Sequence, residues 1–355
     1  NNKKRSRNIT IGAVIGFLLS CTAVMGTVDD NYLFIKDDAG IEFSTDGNEW
    51  NNANPYAENN WLESTETYIN NTILSANGTG DEAYGVKLGL KSSNFRFINN
   101  GAINTSSNSE KAYGIYVDGG EVGNIENNGT INVSSNSSNA YGIRVRKEAK
   151  EVVNAGNIEN NGIITGNSAT GYSIGIGIYD GGSATQIINR GIINNKISPN
   201  GSSTNSNMGI TINSDSEGAE KIINIGEISS SNVTKSKFAY GIRVANEVRE
   251  VINTGSIKAF GAQSSQGITS TNSSSKNQID NILNIGTISS FDSIIAYGIV
   301  SNVNATIEKI VNTGVVYGQT SAIYLSGTIG NGGINNYGIL ATGGSIIQNY
   351  GVMTG

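Results

Sequence analysis

The sequence predicts an all-β protein: a right-handed parallel β-helix, or solenoid, of about nine turns that follows an N-terminal β capping segment. Three observations predict it, namely a phrase that recurs along the chain, apolar residues that alternate within it, and a composition dominated by Gly, Asn, Ser and Ile. The phrase AYGIRVANEVREVINTGSI at 239–257 matches AYGIRVRKEAKEVVNAGNI at 140–158 in twelve of nineteen positions. Units this short cannot bury a core alone, so they must stack on their copies.

The N-terminus predicts export. The cationic stretch KKRSR is followed by an apolar run that ends at Met25, which is the organisation of a secretory signal. We expect residues 1–26 to be a signal peptide that is cleaved between Gly26 and Thr27, and the mature protein to lie at the cell surface, in the outer membrane or outside the cell. A retained anchor is an alternative, because the run has roughly 17 residues. The string LLSC leaves open a second alternative, lipid attachment to Cys21.

Residues 27–82 differ from the rest of the chain in composition. They hold both Trp residues and twelve acidic residues against one Lys. Alternation in the string IEFSTDGNEW, followed by the Asp46-Gly47 step, indicates a hairpin turn. We expect this acidic segment to cap the first turn of the solenoid, because an uncovered β-helix end would pair with other chains.

Residues 83–355 contain eleven matches to the template apolar, any, Asn, any, Gly, any, apolar. Period-two apolar positions on both sides of the template indicate two strands, and the Gly supplies a residue that tolerates positive φ at the bend between them. Because the last match lies at the end of the chain, we interpret the sequence as a fragment of a longer product. In stacked parallel strands, equivalent Asn amides can hydrogen-bond up and down a column. The predicted ladder consists of Asn99, Asn127, Asn154, Asn189, Asn224, Asn253, Asn284, Asn312 and Asn336.

A third strand in each unit carries a Tyr-Gly-Ile motif. Because side chains alternate along a strand, Tyr240 and Ile242 are predicted to face the core, and Gly241 and Arg243 to face solvent. The glycines of successive units would then form an outward column beside Arg144 and Arg243, where a glycan or peptide approaches the backbone. The alternative is that these glycines only relieve crowding. The predicted ligand-facing glycines are Gly85, Gly114, Gly142, Gly241 and Gly298.

The signal, the Asn- and Ser-rich loops, the lack of Cys after Cys21 and the stacked Ile-x-Asn-x-Gly-x-Ile units together resemble the passenger region of a Gram-negative autotransporter, a type V secretion protein. The resemblance covers roughly residues 83–355 and depends on the style of the repeat. It implies a β-helical surface adhesin. It also implies that the full-length chain carries an outer-membrane translocator barrel as its export partner.

Composition argues against several other classes of protein. The chain has no His, which removes Ser-His-Asp and Cys-His catalysis and the usual zinc sites. Residues 83–355 carry seventeen acidic and eighteen basic residues, so we expect no nucleic-acid partner. Nucleotide-binding and HExxH motifs are absent from the sequence, and we predict no catalytic residue, no cofactor and no metal.

These features predict a structural or adhesive rod that binds host-cell or matrix glycans or proteins multivalently. The alternative is a secreted β-helical polysaccharide lyase or glycosidase. Such an enzyme needs carboxylates, or Lys and Arg, clustered on one outward sheet. Asp180, Glu227 and Glu308 lie in different units, and the sequence forces no two of them together.

Overall fold

The computed structural model describes residues 32–37, 40–146, 153–197, 205–232, 238–271 and 279–354, apart from the side chains of residues 153 and 154. The predicted signal peptide, with Cys21, Gly26 and Thr27, lies outside the described residues. The described chain is an all-β parallel solenoid in which each turn contributes strands to three walls. Wall A holds the strands in register with the Tyr-Gly-Ile motif, wall B the strands in register with those that end at a ladder Asn, and wall C the strands that stack on Ile73–Gly78.

Two long strands run from wall A into wall B, Ala83–Asn99 and Ala112–Asn127. The other strands of wall A are Leu33–Asp37, Ala140–Arg146, Ser173–Tyr179, Ser206–Ile212, Phe238–Val244, Ser264–Ser270, Ile295–Ser301, Ser321–Leu325 and Ser345–Asn349. The other strands of wall B are Thr67–Asn70, Val153–Asn160, Gly182–Asn189, Gly218–Asn224, Val248–Asn253, Ile279–Asn284, Thr306–Asn312, Thr328–Asn336 and Val352–Met353. The strands of wall C are Ile73–Gly78, Ala102–Ser107, Thr130–Ser135, Ile163–Ser168, Ile192–Ile197, Glu227–Asn232, Ser256–Phe260, Thr287–Phe291, Val315–Gly318 and Ile339–Thr342.

Successive turns stack in register. Each strand pairs in parallel with its counterpart in the next turn, so that Tyr141 lies opposite Ile174 in wall A and Ile164 opposite Ile193 in wall C. Wall C stacks ten strands, so the described chain comes close to the predicted nine turns. The prediction of an all-β parallel solenoid is confirmed.

The core is one continuous apolar column along the axis. In a single turn, Ile242 from wall A, Val251 from wall B and Ile257 from wall C are all fully buried. Each of them packs on its equivalents above and below. A turn therefore obtains most of its apolar contacts from its neighbours, which is why such units are stable only as a stack.

The solenoid begins earlier than the predicted boundary at residue 83. Thr67–Asn70 pairs in parallel with Arg96 to Asn99, and Ile73–Gly78 pairs in parallel with Ala102–Ser107. Residues 67–78 are therefore already part of a turn, although the sequence analysis assigned them to the acidic cap. The boundary was drawn from composition, and the acidic residues end later than the change in strand pairing.

Antiparallel strands and aromatic rings occur at the start of the stack. Ile41–Ser44 pairs antiparallel with Leu33–Asp37, and Asn60–Leu62 pairs antiparallel with Thr67–Asn70. A short 3-10 turn at Glu63–Thr65 connects the two strands of the second pair. The Trp61 ring lies 5.5 Å from that of Phe43. The turn predicted at Asp46-Gly47 is present, because Asp46 Oδ1 accepts the N–H groups that follow it at 2.8 and 2.9 Å.

Candidate functional site

An asparagine ladder lies at the corner between walls B and C. Asn253 is fully buried, and its Oδ1 accepts a hydrogen bond from Asn224 Nδ2 at 2.8 Å. Its own Nδ2 donates to Asn284 Oδ1 at 2.7 Å and to Thr287 O at 3.2 Å. The amides joined in this way are those of Asn70, Asn99, Asn127, Asn160, Asn189, Asn224, Asn253, Asn284, Asn312 and Asn336. Because the ladder faces inward, it holds the turns together and does not contact a ligand.

The assignment of Asn154 to this ladder was wrong. Its backbone lies opposite Glu121 and Ser183, within a wall B strand and away from the corner. The ladder position belongs to Asn160, which accepts from Asn127 Nδ2 at 2.7 Å. Both Asn residues match the template, but only the second directly precedes the corner.

The glycine of each Asn-x-Gly step is required by close packing and not by positive φ, as the sequence analysis had assumed. The described corner glycines all have ordinary negative φ values. A Cβ at Gly255 would overlap the carbonyl oxygen of Gly226 in the preceding turn. At the same corner the N–H groups of Thr254 and Gly255 both donate to Asn224 O, at 2.8 and 3.1 Å.

The glycines of the Tyr-Gly-Ile motif face the core, so the prediction that they face a ligand is wrong. A Cβ at Gly241 would overlap Cγ2 of Ile257 in wall C. Gly241 and Ile242 both point inward, and this break in the alternation turns Tyr240 to the outer side together with Arg243. The same overlap with wall C is found at Gly85, Gly114, Gly142 and Gly298.

The tyrosines displaced from the core form an aromatic strip on the outer side of wall A, comprising Tyr84, Tyr113, Tyr116, Tyr141 and Tyr179, with the Arg144 guanidinium packed among the rings. The Tyr84 and Tyr113 ring centroids are 5.0 Å apart, and those of Tyr113 and Tyr141 are 5.2 Å apart. The ring planes differ by 6° and 10°, so the rings stack one per turn. Offset stacking of this kind stabilises successive turns from outside the core.

Arg144 lies inside the aromatic strip rather than facing a ligand. Only 6% of the residue is exposed, and its guanidinium carbon lies 4.6 Å from the Tyr141 ring centroid and 4.9 Å from that of Tyr179. Its Nη1 donates to the Tyr113 hydroxyl at 2.9 Å. Burial raises the pKa of the Tyr113 and Tyr179 phenols, so these two rings beside the cation stay neutral near pH 7.

Asp180 and Asp215, from successive turns, form a carboxyl pair beside the aromatic strip. The Asp180 N–H donates to Asp215 Oδ1 at 3.0 Å, and Asp180 Oδ2 lies 2.6 Å from Arg146 Nε. Burial and the Asp215 carboxylate raise the pKa of Asp180. Burial also acts to raise the pKa of Asp215, but hydrogen bonds from Asp180 and Asn213 lower it overall. This contact could not be predicted from the sequence, because thirty-five residues separate the two positions.

A cleft of about 410 Å³ opens on the outer side of wall A, beyond the last ring of the strip. It crosses four turns, and the described residues that line it are Asn139, Tyr141, Tyr172, Tyr179, Ser206, Met208, Asn213, Phe238, Tyr240 and Arg243. Five of these ten are aromatic. This volume lies within the range of small-molecule sites, which combine apolar walls with a few polar groups.

Arg243 supplies the positive charge of the cleft. The residue is half-buried, and its Nη1 lies 3.3 Å from Asn213 Oδ1 and 3.5 Å from Thr211 Oγ1. Both partners are neutral, and no described carboxylate forms an ion pair with this guanidinium. Of the predicted ligand-facing residues, only Arg243 is among those that line this cleft.

Sequence reasoning missed most of the cleft. Tyr172, Phe238 and Asn213 flank the Tyr-Gly-Ile motif, and their contribution depends on how four turns stack. A signal was nevertheless present, since Ile174 and Met208 occupy the Tyr position of the motif in two consecutive units.

A second cleft, of about 320 Å³, is lined by Ser183, Ala184, Thr185, Glu217, Gly218, Ala219, Glu220, Glu247 and Arg249. The described residues offer no metal-binding cluster. They contain no group of three or more His, Cys, Asp or Glu side chains placed to hold a metal ion. Nor do they include a helix that is long and apolar enough to cross a bilayer. Comparison of this chain with protein families, with curated proteins and with solved structures finds no match.

Proposed function

We propose that the chain is an adhesive rod, the passenger region of an exported surface protein, which binds host-cell or matrix ligands multivalently. The observation that carries this proposal is the aromatic cleft with its half-buried cation on the outer side of a repetitive rod. The asparagine ladder and the inward-facing glycines of the Tyr-Gly-Ile motif account for the rigidity of the rod. In the full-length chain we expect an outer-membrane translocator barrel to anchor the rod.

Multivalency follows from the way such a rod is displayed. A single cleft of this size forms few contacts, so one chain binds weakly. Many chains on one surface convert later binding events into local ones, with gains of about 10² to 10⁴ in apparent affinity. A stiff rod also holds the cleft away from the anchoring surface.

Two groups of carboxylates bear on the enzyme alternative: Glu217, Glu220 and Glu247, which line a second cleft with Arg249, and the Asp180–Asp215 pair beside the aromatic strip. Glycosidases hold their two carboxyl groups about 5 to 10 Å apart, so that sugar and water fit between them. Asp180 and Asp215 are hydrogen-bonded to each other, and Asp180 also pairs with Arg146. This geometry favours a structural role for the Asp180–Asp215 pair.

The test compares binding at two surface densities. Beads coated densely or sparsely with the chain are offered to host cells and to immobilised matrix glycans and proteins. We expect retention that rises much more steeply than the coating density, together with unchanged ligand after overnight incubation. Absence of retention at the high density would contradict the adhesin proposal. Release of shortened polysaccharide, lost in the Asp180→Asn variant, would favour the enzyme.

A further inference from the structure

We propose that the cleft binds a carboxylate-bearing sugar of an acidic oligosaccharide, stacked against aromatic rings and paired with Arg243. This inference deepens the proposed function and rests on it only for biological context, because sugar binding by the cleft can be measured separately from adhesion.

The cleft exists because two rings are missing from the tyrosine column. Tyr141, Ile174, Met208 and Tyr240 occupy the same register position in four successive turns. At about 4.8 Å per turn, the positions of the two tyrosines are roughly 14 Å apart, which leaves two ring sites without a ring. Met208, which is 6% exposed, forms an apolar floor of the cleft there.

The position three residues further along each wall A strand shows the same pattern. Arg144, Gly177, Thr211 and Arg243 occupy one position in four successive turns, so small residues again separate two large ones. Tyr179 folds over Gly177, since a Cβ at Gly177 would overlap the Tyr179 ring. The Arg243 guanidinium reaches back to Thr211 Oγ1 at 3.5 Å, and both Tyr179 and Arg243 line the cleft.

Sugars fit an opening of this kind. A pyranose presents an apolar C–H face, which packs on aromatic rings, and an edge of hydroxyl groups that need hydrogen-bonding partners. The sides of the cleft supply the rings of Tyr141, Tyr172 and Tyr240 to pack against the sugar face. Asn139 and Ser206 can hydrogen-bond the hydroxyl groups at the sugar edge. Tyr172 is 40% exposed, as expected for a ring at the rim.

The Arg243 guanidinium favours a sugar that carries a carboxylate. Arg144 in the strip is paired with Asp180, with 3.6 Å between Nη2 and Oδ2, whereas the partners of Arg243 are neutral. A guanidinium presents two parallel N–H groups that match a carboxylate, and charge-assisted pairs of this kind are roughly twice as strong as neutral hydrogen bonds. Burial raises the pKa of Tyr240 to about 12, so the ring beside the cation stays neutral and does not repel an anionic ligand near pH 7.

The experiment uses an array of hexuronate oligomers and sialylated oligosaccharides, each beside its carboxyl-reduced counterpart. We expect the chain to bind at least one acidic member at least tenfold more strongly than its reduced form. Arg243→Gln should reduce that binding at least tenfold. Arg249→Gln, which changes an exposed Arg of the same turn, should leave binding within twofold.

A second variant tests the cleft without weakening the fold. Met208→Tyr restores one missing ring, so we expect the thermal unfolding midpoint to be maintained and binding to be lost. Binding to no acidic oligosaccharide, equal binding to acidic and reduced forms, or full binding by Met208→Tyr would each overturn the inference. Acidic-sugar binding without cell retention would contradict the adhesin proposal alone. Cell retention that persists in Arg243→Gln, without any sugar binding, would contradict the inference alone.

Discussion

At the scale of single residues, polar side chains are buried in this solenoid only where the repeat supplies their partners. Asn253 has no solvent exposure, yet its amide oxygen and nitrogen are both hydrogen-bonded to equivalent amides. A buried polar group costs free energy unless it is hydrogen-bonded. The ladder meets this condition at every turn, because each amide donates in one direction and accepts from the other.

We expect Asn253→Leu to lower the free energy of unfolding by about 3 kcal/mol, because it leaves the Asn284 amide oxygen without its ladder donor and disrupts a packed corner. Thr254→Val is the matched control, since Thr254 is exposed and its side chain makes one long hydrogen bond, and its effect should stay within about 0.5 kcal/mol. Urea unfolding followed by circular dichroism measures both. Equal losses would mean that the ladder contributes nothing specific.

At the scale of elements, the inner and outer faces of wall A have different side chains and different contacts. Its inner face is set by Gly and Ile, which contact wall C, and its outer face by the aromatic strip. Glu82 lies at the first ring of this strip and accepts hydrogen bonds from the Tyr84 hydroxyl, from Lys111 Nζ at 3.0 Å and from the Tyr113 hydroxyl at 3.3 Å. One carboxylate therefore connects two stacked rings and a cation.

The stability of wall A should depend on pH through the ionisation of Glu82. Burial acts to raise the pKa of Glu82, but hydrogen bonds from Tyr84 and Lys111 outweigh it and lower the pKa below the ordinary value of 4.5. A lowered folded-state pKa gives stability that is present above 4.5 and is lost as pH falls through the folded-state pKa.

We therefore expect Glu82→Gln to be less stable than the unmodified chain at pH 7, with the difference shrinking as pH falls below 4.5. Thermal melts from pH 7 to pH 3 measure this, with the exposed Glu58→Gln as control. A constant difference at every pH would assign the effect to packing rather than to charge.

At the scale of the whole molecule, the turns are modular while their loops vary. Successive ladder asparagines are separated by as few as 24 and as many as 35 residues, yet their amides stay within 2.7 to 2.8 Å. Variation in length is thus absorbed outside the three walls. Stability of such stacks is approximately a sum of turn and interface contributions.

Removing residues 285–312 should leave a folded solenoid. This deletion joins Asn284 to Thr313-Gly314, so the Asn-x-Gly corner and the ladder are retained with one turn fewer. We expect one cooperative transition at a lower midpoint, and unchanged behaviour of the cleft in the oligosaccharide array. Removing only 285–298 takes out half a turn and breaks the register, so we expect a larger loss of structure. Circular dichroism and limited proteolysis distinguish the two, and a milder effect of the shorter deletion would contradict the modular description.

The sequence by itself determined the fold class, because period-two alternation and a recurring Asn-x-Gly corner are consequences of local geometry. It also determined that the asparagines form a ladder. It failed where the answer depended on two distant segments: Asn154 and Asn160 have the same local pattern, and only pairing with Asn127 distinguishes them. Asn70 was missed because its corner has Thr in place of Gly.

Only the tertiary structure decided which side of wall A faces solvent. Strict alternation put Tyr240 inside and Gly241 outside, but close approach of Ile257 from wall C leaves no room for a side chain at Gly241. The glycine must therefore face inward, and the tyrosine is turned outward. The cleft follows from the same cause, because a gap in a column of outer rings exists only once four turns have stacked.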